Sequence, residues 1–121
     1  MEVTEAINSR RSVRAYTTDP VPQNKIEAVL ETARLAPSAL NGQPWHFIVV
    51  TDPERRRELS KGIFAKFLVV APVVIVGCGD LKADPKWHAV DVAIAMQNMV
   101  IAATAEGLGT CWIGSFDGSS C

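Results

Sequence analysis

Between Pro22 and Ala36 the apolar positions Ile26, Val29, Leu30 and Ala33 recur at steps of three and four, which places them on one face of an α-helix. Pro22 suits a first helical turn, where a missing N–H costs nothing, and Pro37 closes the far end. The spacing therefore predicts a helix over 22–36. A shorter one is expected over Thr4–Arg10, with Ala6 and Ile7 facing inward. The pattern then changes period. His46–Thr51 is an apolar β-type run, and VVIVGC at 73–78, held between Pro72 and Gly79, reads as a second buried strand. Between them Asp52-Pro53 opens a charged helix through about Lys61, and Thr110–Ile113 begins a further strand.

The longest helical pattern, KWHAVDVAIAMQNMVIAATAE at 86–106, is apolar on more than one side, through Val90, Ala93, Ile94, Met96, Met99, Val100 and Ile101. A helix greasy all round needs partners all round, and in so small a domain the natural second partner is another copy of the chain. Gly107 and Gly109 stop the helix. Ahead of the first strand, PSALNGQPW at 37–45 gathers the residues that set turns, so a loop feeds that strand.

A chain of 121 residues, 48% apolar and 21% charged, has the material for one core. Twelve Lys plus Arg against thirteen Asp plus Glu leave no basic field for a nucleic acid, so any recognition of an anion is local. Cys78, Cys111 and Cys121 are odd in number and far apart, without a C-x-x-C pair, and are expected to be reduced thiols of a cytoplasmic protein. The acidic start lacks the basic and apolar regions of a secretory signal. The run Phe67–Gly79, broken by Pro72, falls short of the ~20 residues of a membrane helix. A soluble protein without a membrane partner is expected.

One cluster stands out against this near-neutral background. RRSVRAY at 10–16 places Arg10, Arg11 and Arg14 around Ser12. Guanidinium forks beside a hydroxyl suit a phosphate, and three arginines so close repel one another unless an anion or carboxylates sit between them. The spacing alone equally allows a solvated basic turn satisfied by nearby Glu or Asp.

RRSVRAY, then APSALNGQPWHF, then a long apolar helix ending in GLGTCWIGSFD together resemble the FMN-dependent nitroreductase family, in order from about residue 5 to residue 117. The resemblance implies an α+β fold, a three-layer sandwich with a mixed, mostly antiparallel sheet flanked by helices. It also implies a homodimer, joined here through the 86–106 helix, whose two FMN sites each draw on both chains. By motif position, Arg10, Arg11, Ser12 and Arg14 would hold the phosphate and ribityl end. Pro37, Ser38 and Ala39 would lie along the isoalloxazine ring from the partner chain, and Asn41 would bond its polar edge. Ile113 and Gly114 would turn backbone amides toward the ring, where donors stabilise negative charge.

The activity so implied passes electrons from NADH or NADPH through FMN to a nitroaromatic, a quinone or a related small acceptor, with no protein nucleophile. A flavin-binding module without turnover is the rival reading. The family also implies helix and strand beyond Phe116-Asp117. This leaves two readings of a single domain over 1–117 with a frayed tail over 118–121: a compact member that still pairs into a flavin site, or a piece whose site is incomplete.

Other signals lead elsewhere. His88 and Asp91, one turn apart, are two ligands at most and read as helix surface or interface packing. Gly107-Leu-Gly109 follows a helix and lacks the third glycine of a dinucleotide fingerprint. Gly114-Ser-Phe-Asp-Gly118 is not a nucleophile elbow.

Overall fold

The computed structural model describes residues 1–61 and 66–114. The proposed tail at 118–121 lies outside them. Six regular elements follow in order: α1 (Val3–Ser9), α2 (Gln23–Arg34), β1 (Trp45–Val50), α3 (Pro53–Leu59), β2 (Val74–Gly79) and α4 (His88–Ala105). Short 3-10 turns occupy Ala39–Asn41 and Lys66–Val69.

β1 and β2 pair antiparallel, from Trp45 opposite Gly79 to Val50 opposite Val74. The two-residue period of the strands sends Trp45, Phe47 and Ile75 toward α2 and α4, where they meet the buried Val29, Ala33, Ala95 and Met99. The other face carries Val74 and Val76 onto Leu59, Leu68 and Ala71. Helix, sheet and a second helical layer follow, an α+β arrangement. Gly77 permits the close fit of α4, since a Cβ there would stand 2.4 Å from the Met96 sulfur. Met99 is core, and Met96 packs against its edge.

Local chemistry accounts for the helix ends. Asp52 caps α3 by accepting the Arg55 N–H at 3.1 Å, with Pro53 in the first turn. Pro22 is the residue before α2 rather than inside it, because its ψ of 138° is extended. α4 ends in a Schellman motif: Gly107 takes φ 79°, its N–H reaches Thr104 O at 3.0 Å, and Leu108 N reaches Ala103 O at 2.8 Å.

Two expectations need correction. Ala6 is buried but Ile7 is 52% exposed, since a two-turn helix has only a narrow face to bury and Ala6 takes it. Thr110–Ile113 forms no ladder among the described residues. Thr110 makes a single parallel bridge with Ser12, supported by Val13 N donating to Thr110 O at 2.8 Å.

α4 is long and apolar enough, by length and composition, to cross a membrane, and a third of it is buried inside the chain. Its inner stripe is Asp91, Val92, Ala95, Met99 and Ala103. Val90 and Ile94 remain 47% and 39% exposed on other sides, as the all-round apolar pattern anticipates. Cys78 and Cys111 are free thiols, and Cys121 lies outside the described residues.

Candidate functional site

The bridge between Ser12 and Thr110 brings the arginine run beside the segment that leads to Gly114. Gly109 allows the approach, because a Cβ there would stand 3.0 Å from the Val13 side chain. Tyr16 turns back to donate its hydroxyl to Val13 O, and burial raises its phenol above the ordinary value, with Cys111 nearby acting in the same direction.

Arg10, Arg11, Ser12 and Arg14 are exposed, and among the described residues no carboxylate pairs with these three guanidinium groups. Among the described residues, then, this is not a basic turn satisfied by neighbouring Glu or Asp. Three mutually repelling cations and a free serine hydroxyl present a donor set suited to a phosphate. The N–H groups of Ile113 and Gly114 likewise make no hydrogen bond among the described residues. Donors thus line this segment without acceptors of their own.

The 37–43 loop is built differently. Leu40, Asn41 and Gln43 all take positive φ, at 51°, 54° and 48°. Non-glycine residues in that region carry strain and persist only where their surroundings over-determine them. Here Asn41 N donates to Ser38 O at 3.0 Å, Gly42 N to Ala39 O at 3.0 Å and Gln43 N to Ser38 Oγ at 3.0 Å. Ala39 N donates to Asp91 Oδ2 at 3.2 Å, and the fully buried Pro44 fixes the exit. Gln43 Nε2 donates to Asn41 Oδ1 at 3.0 Å, which leaves the Asn41 amide NH2 as its outward group. Leu40 is fully exposed, at 104%.

Asp91 is therefore not a helix-surface residue: it is 4% exposed and tied to this loop. The sequence offers one hint, an acidic residue in an otherwise apolar stripe of α4. His88, half-buried, places Nδ1 2.9 Å from Asp84 O.

Among the described residues no hydrogen bond joins 10–14 to 37–43. Two cavities of about 290 and 480 Å³ flank β2 and α4. Of the ten predicted site residues only Ile113 lines them, and the rest of their walls are largely apolar.

The sequence matches the Nitroreductase family over residues 7–74 and 65–121. A Methanothermobacter thermautotrophicus relative is 40% identical over 96% of this chain and 62% of its own length. An FMN reductase [NAD(P)H] of Bacillus subtilis is 32% identical over 98% of this chain and 56% of its own. The solved structure of an FMN-dependent nitroreductase from Clostridium difficile R20291 superposes with a TM-score of 0.84 at 38% identity, over 89% of this chain and 64% of that one. The chain spans about three fifths of the length of these proteins. With its unpaired arginines, its strained PSALNGQPW loop and the match running along nearly its whole length, this chain belongs to the nitroreductase family.

Proposed function

We propose that this chain, paired with a second copy, forms the FMN-binding part of an NAD(P)H-dependent flavin oxidoreductase. The observation that carries the reading is the set of three unpaired guanidinium groups at Arg10, Arg11 and Arg14, held by the Ser12–Thr110 bridge beside the free amides of Ile113 and Gly114. The names of the Bacillus and Clostridium relatives support FMN and NAD(P)H as its small-molecule partners.

The residues present fit that cofactor. Arg10, Arg11, Ser12 and Arg14 would neutralise its phosphate by charge-assisted bonds. From the second copy, Pro37, Ser38 and Ala39 would lie along the ring, and the Asn41 amide would donate to its edge. Ile113 and Gly114 would direct backbone N–H groups to the side of the ring where negative charge collects on reduction. When bound, FMN would supply the electron chemistry between NADH or NADPH and a nitroaromatic, quinone or related small acceptor. The exposed apolar side of α4, with Val90, Ile94 and Trp87, is where the second copy would pack.

The visible spectrum of the protein with FMN, before and after anaerobic NADH or NADPH, tests this directly. Protein-bound flavin bands that bleach with reductant are expected. Bands that persist would assign the chain to flavin storage, and absence of binding would refute the site.

A further inference from the structure

We infer that Asp91 is the positioning residue that sets the 37–43 loop in its ring-facing shape before any cofactor arrives. This inference rests on the flavin reading above. Asp91 occupies the buried stripe of α4 with Val92, Ala95, Met99 and Ala103, all of them apolar but itself. A carboxylate taken out of water is costly unless hydrogen-bonded. Its bond to Ala39 N, 52 residues away in sequence, is the sole side-chain hydrogen bond between this loop and α4 among the described residues. Among the described residues the side-chain bond of Asp91 therefore goes to the loop rather than to the rest of α4.

The loop needs such a fixed acceptor. Its other hydrogen bonds are internal, running among Ser38, Ala39, Asn41, Gly42 and Gln43, and they move with it. Ala39 is also the first residue of the 3-10 turn whose next two members take positive φ. Fixing its N–H to a rigid helix sets where the strained turn begins, and hence where Asn41 points. The buried Pro44 fixes the other end, so the turn is held from both sides.

Hydrogen exchange on the cofactor-free chain, combined with FMN titration, separates positioning from mere stability. Asp91→Leu keeps the side-chain shape but accepts no bond, whereas Asp91→Asn keeps a carbonyl acceptor. In Asp91→Leu the amides of Ala39, Asn41 and Gly42 should exchange about ten-fold faster or more, with β1 and α2 unchanged, and FMN should bind about ten-fold more weakly. Asp91→Asn should restore both to within about three-fold of the parent chain. Should Asp91→Leu fail to fold, Asp91→Ala gives the same contrast. Unchanged loop exchange in the leucine variant, or a loosened loop with unaltered FMN affinity, would overturn the inference. If the parent chain binds no FMN, the flavin reading falls, and the exchange contrast alone decides whether Asp91 holds the loop.

Discussion

The arginine segment and the 37–43 loop are both short irregular stretches at the edge of the core, yet they prepare for a ligand in opposite ways. At Arg10–Arg14 the backbone is held by the bridge to Thr110, the Tyr16 hydroxyl on Val13 O and the end of α1, while the guanidinium groups carry unsatisfied charge among the described residues. At 37–43 little charge is displayed, but the backbone is tied at several points into a strained shape. The first region stores electrostatic demand and the second stores geometry. A phosphate presents acceptor oxygens on several sides that exposed guanidinium groups can meet from more than one direction, whereas the edge of a planar ring requires donors fixed in its plane beforehand.

The largest expected effect falls on the charged region. Ser12→Ala with Arg14→Ala removes two charge-assisted bonds of about 1.5–3 kcal/mol each, so FMN affinity should fall by about a hundred-fold or more, with little change in thermal midpoint. Isothermal titration and a melting curve on the same sample check both halves. An equal loss of stability would mean that these residues hold the fold rather than a ligand.

Next is the contact that joins the arginine segment to the rest. Gly109→Ala sets a Cβ about 3.0 Å from Val13. Overpacking of this kind costs about 1–3 kcal/mol, readable in the urea midpoint, and should weaken FMN binding as the bridge to Thr110 shifts. Gly107→Ala meets no neighbour within 4 Å, so only its φ of 79° opposes the change. About 1 kcal/mol should be lost, without effect on FMN. The two glycines, two positions apart, thus separate steric from conformational cost.

The smallest effect concerns acid. Asp80 is held below the ordinary carboxylate value, first by the N–H of Ala83, then by that of Lys82, with His46 at 3.7 Å adding less. A lowered native pKa gives stability that is present above the unfolded value of about 3.9 and is lost as pH falls through the native one. Asp80→Asn should therefore slightly lower the urea midpoint at neutral pH and flatten its decline between about pH 5 and about pH 3 by the same small amount, the two chains converging in acid.

Much of this was legible in the chain. The three- and four-residue steps at Ile26, Val29 and Ala33 located α2, and VVIVGC located β2, because burial enforces periodicity. The Thr110–Ile113 strand did not form a ladder, since a β-type run reveals propensity but not whether a neighbour lies alongside. Ile7 failed because one apolar residue in a two-turn helix does not establish a face. The role of Asp91 is not legible in the sequence for a related reason: what makes it matter is Ala39, and that contact exists only after folding. The arginines are conspicuous in the sequence, but that no carboxylate among the described residues pairs with them is visible only in the structure.

That the site is shared between two copies is tested most directly by complementation. One variant carries Ser12→Ala and Arg14→Ala, the other Ser38→Ala and Asn41→Ala, so each alone damages one half of every site. Unfolding and refolding the two together creates mixed dimers in which one site has both native halves. The account predicts that tight FMN binding, lost in either variant alone, returns in the mixture and sediments with a dimer. Tight binding to a monomer of the parent chain, or no recovery in a mixture shown to contain mixed dimers, would contradict it.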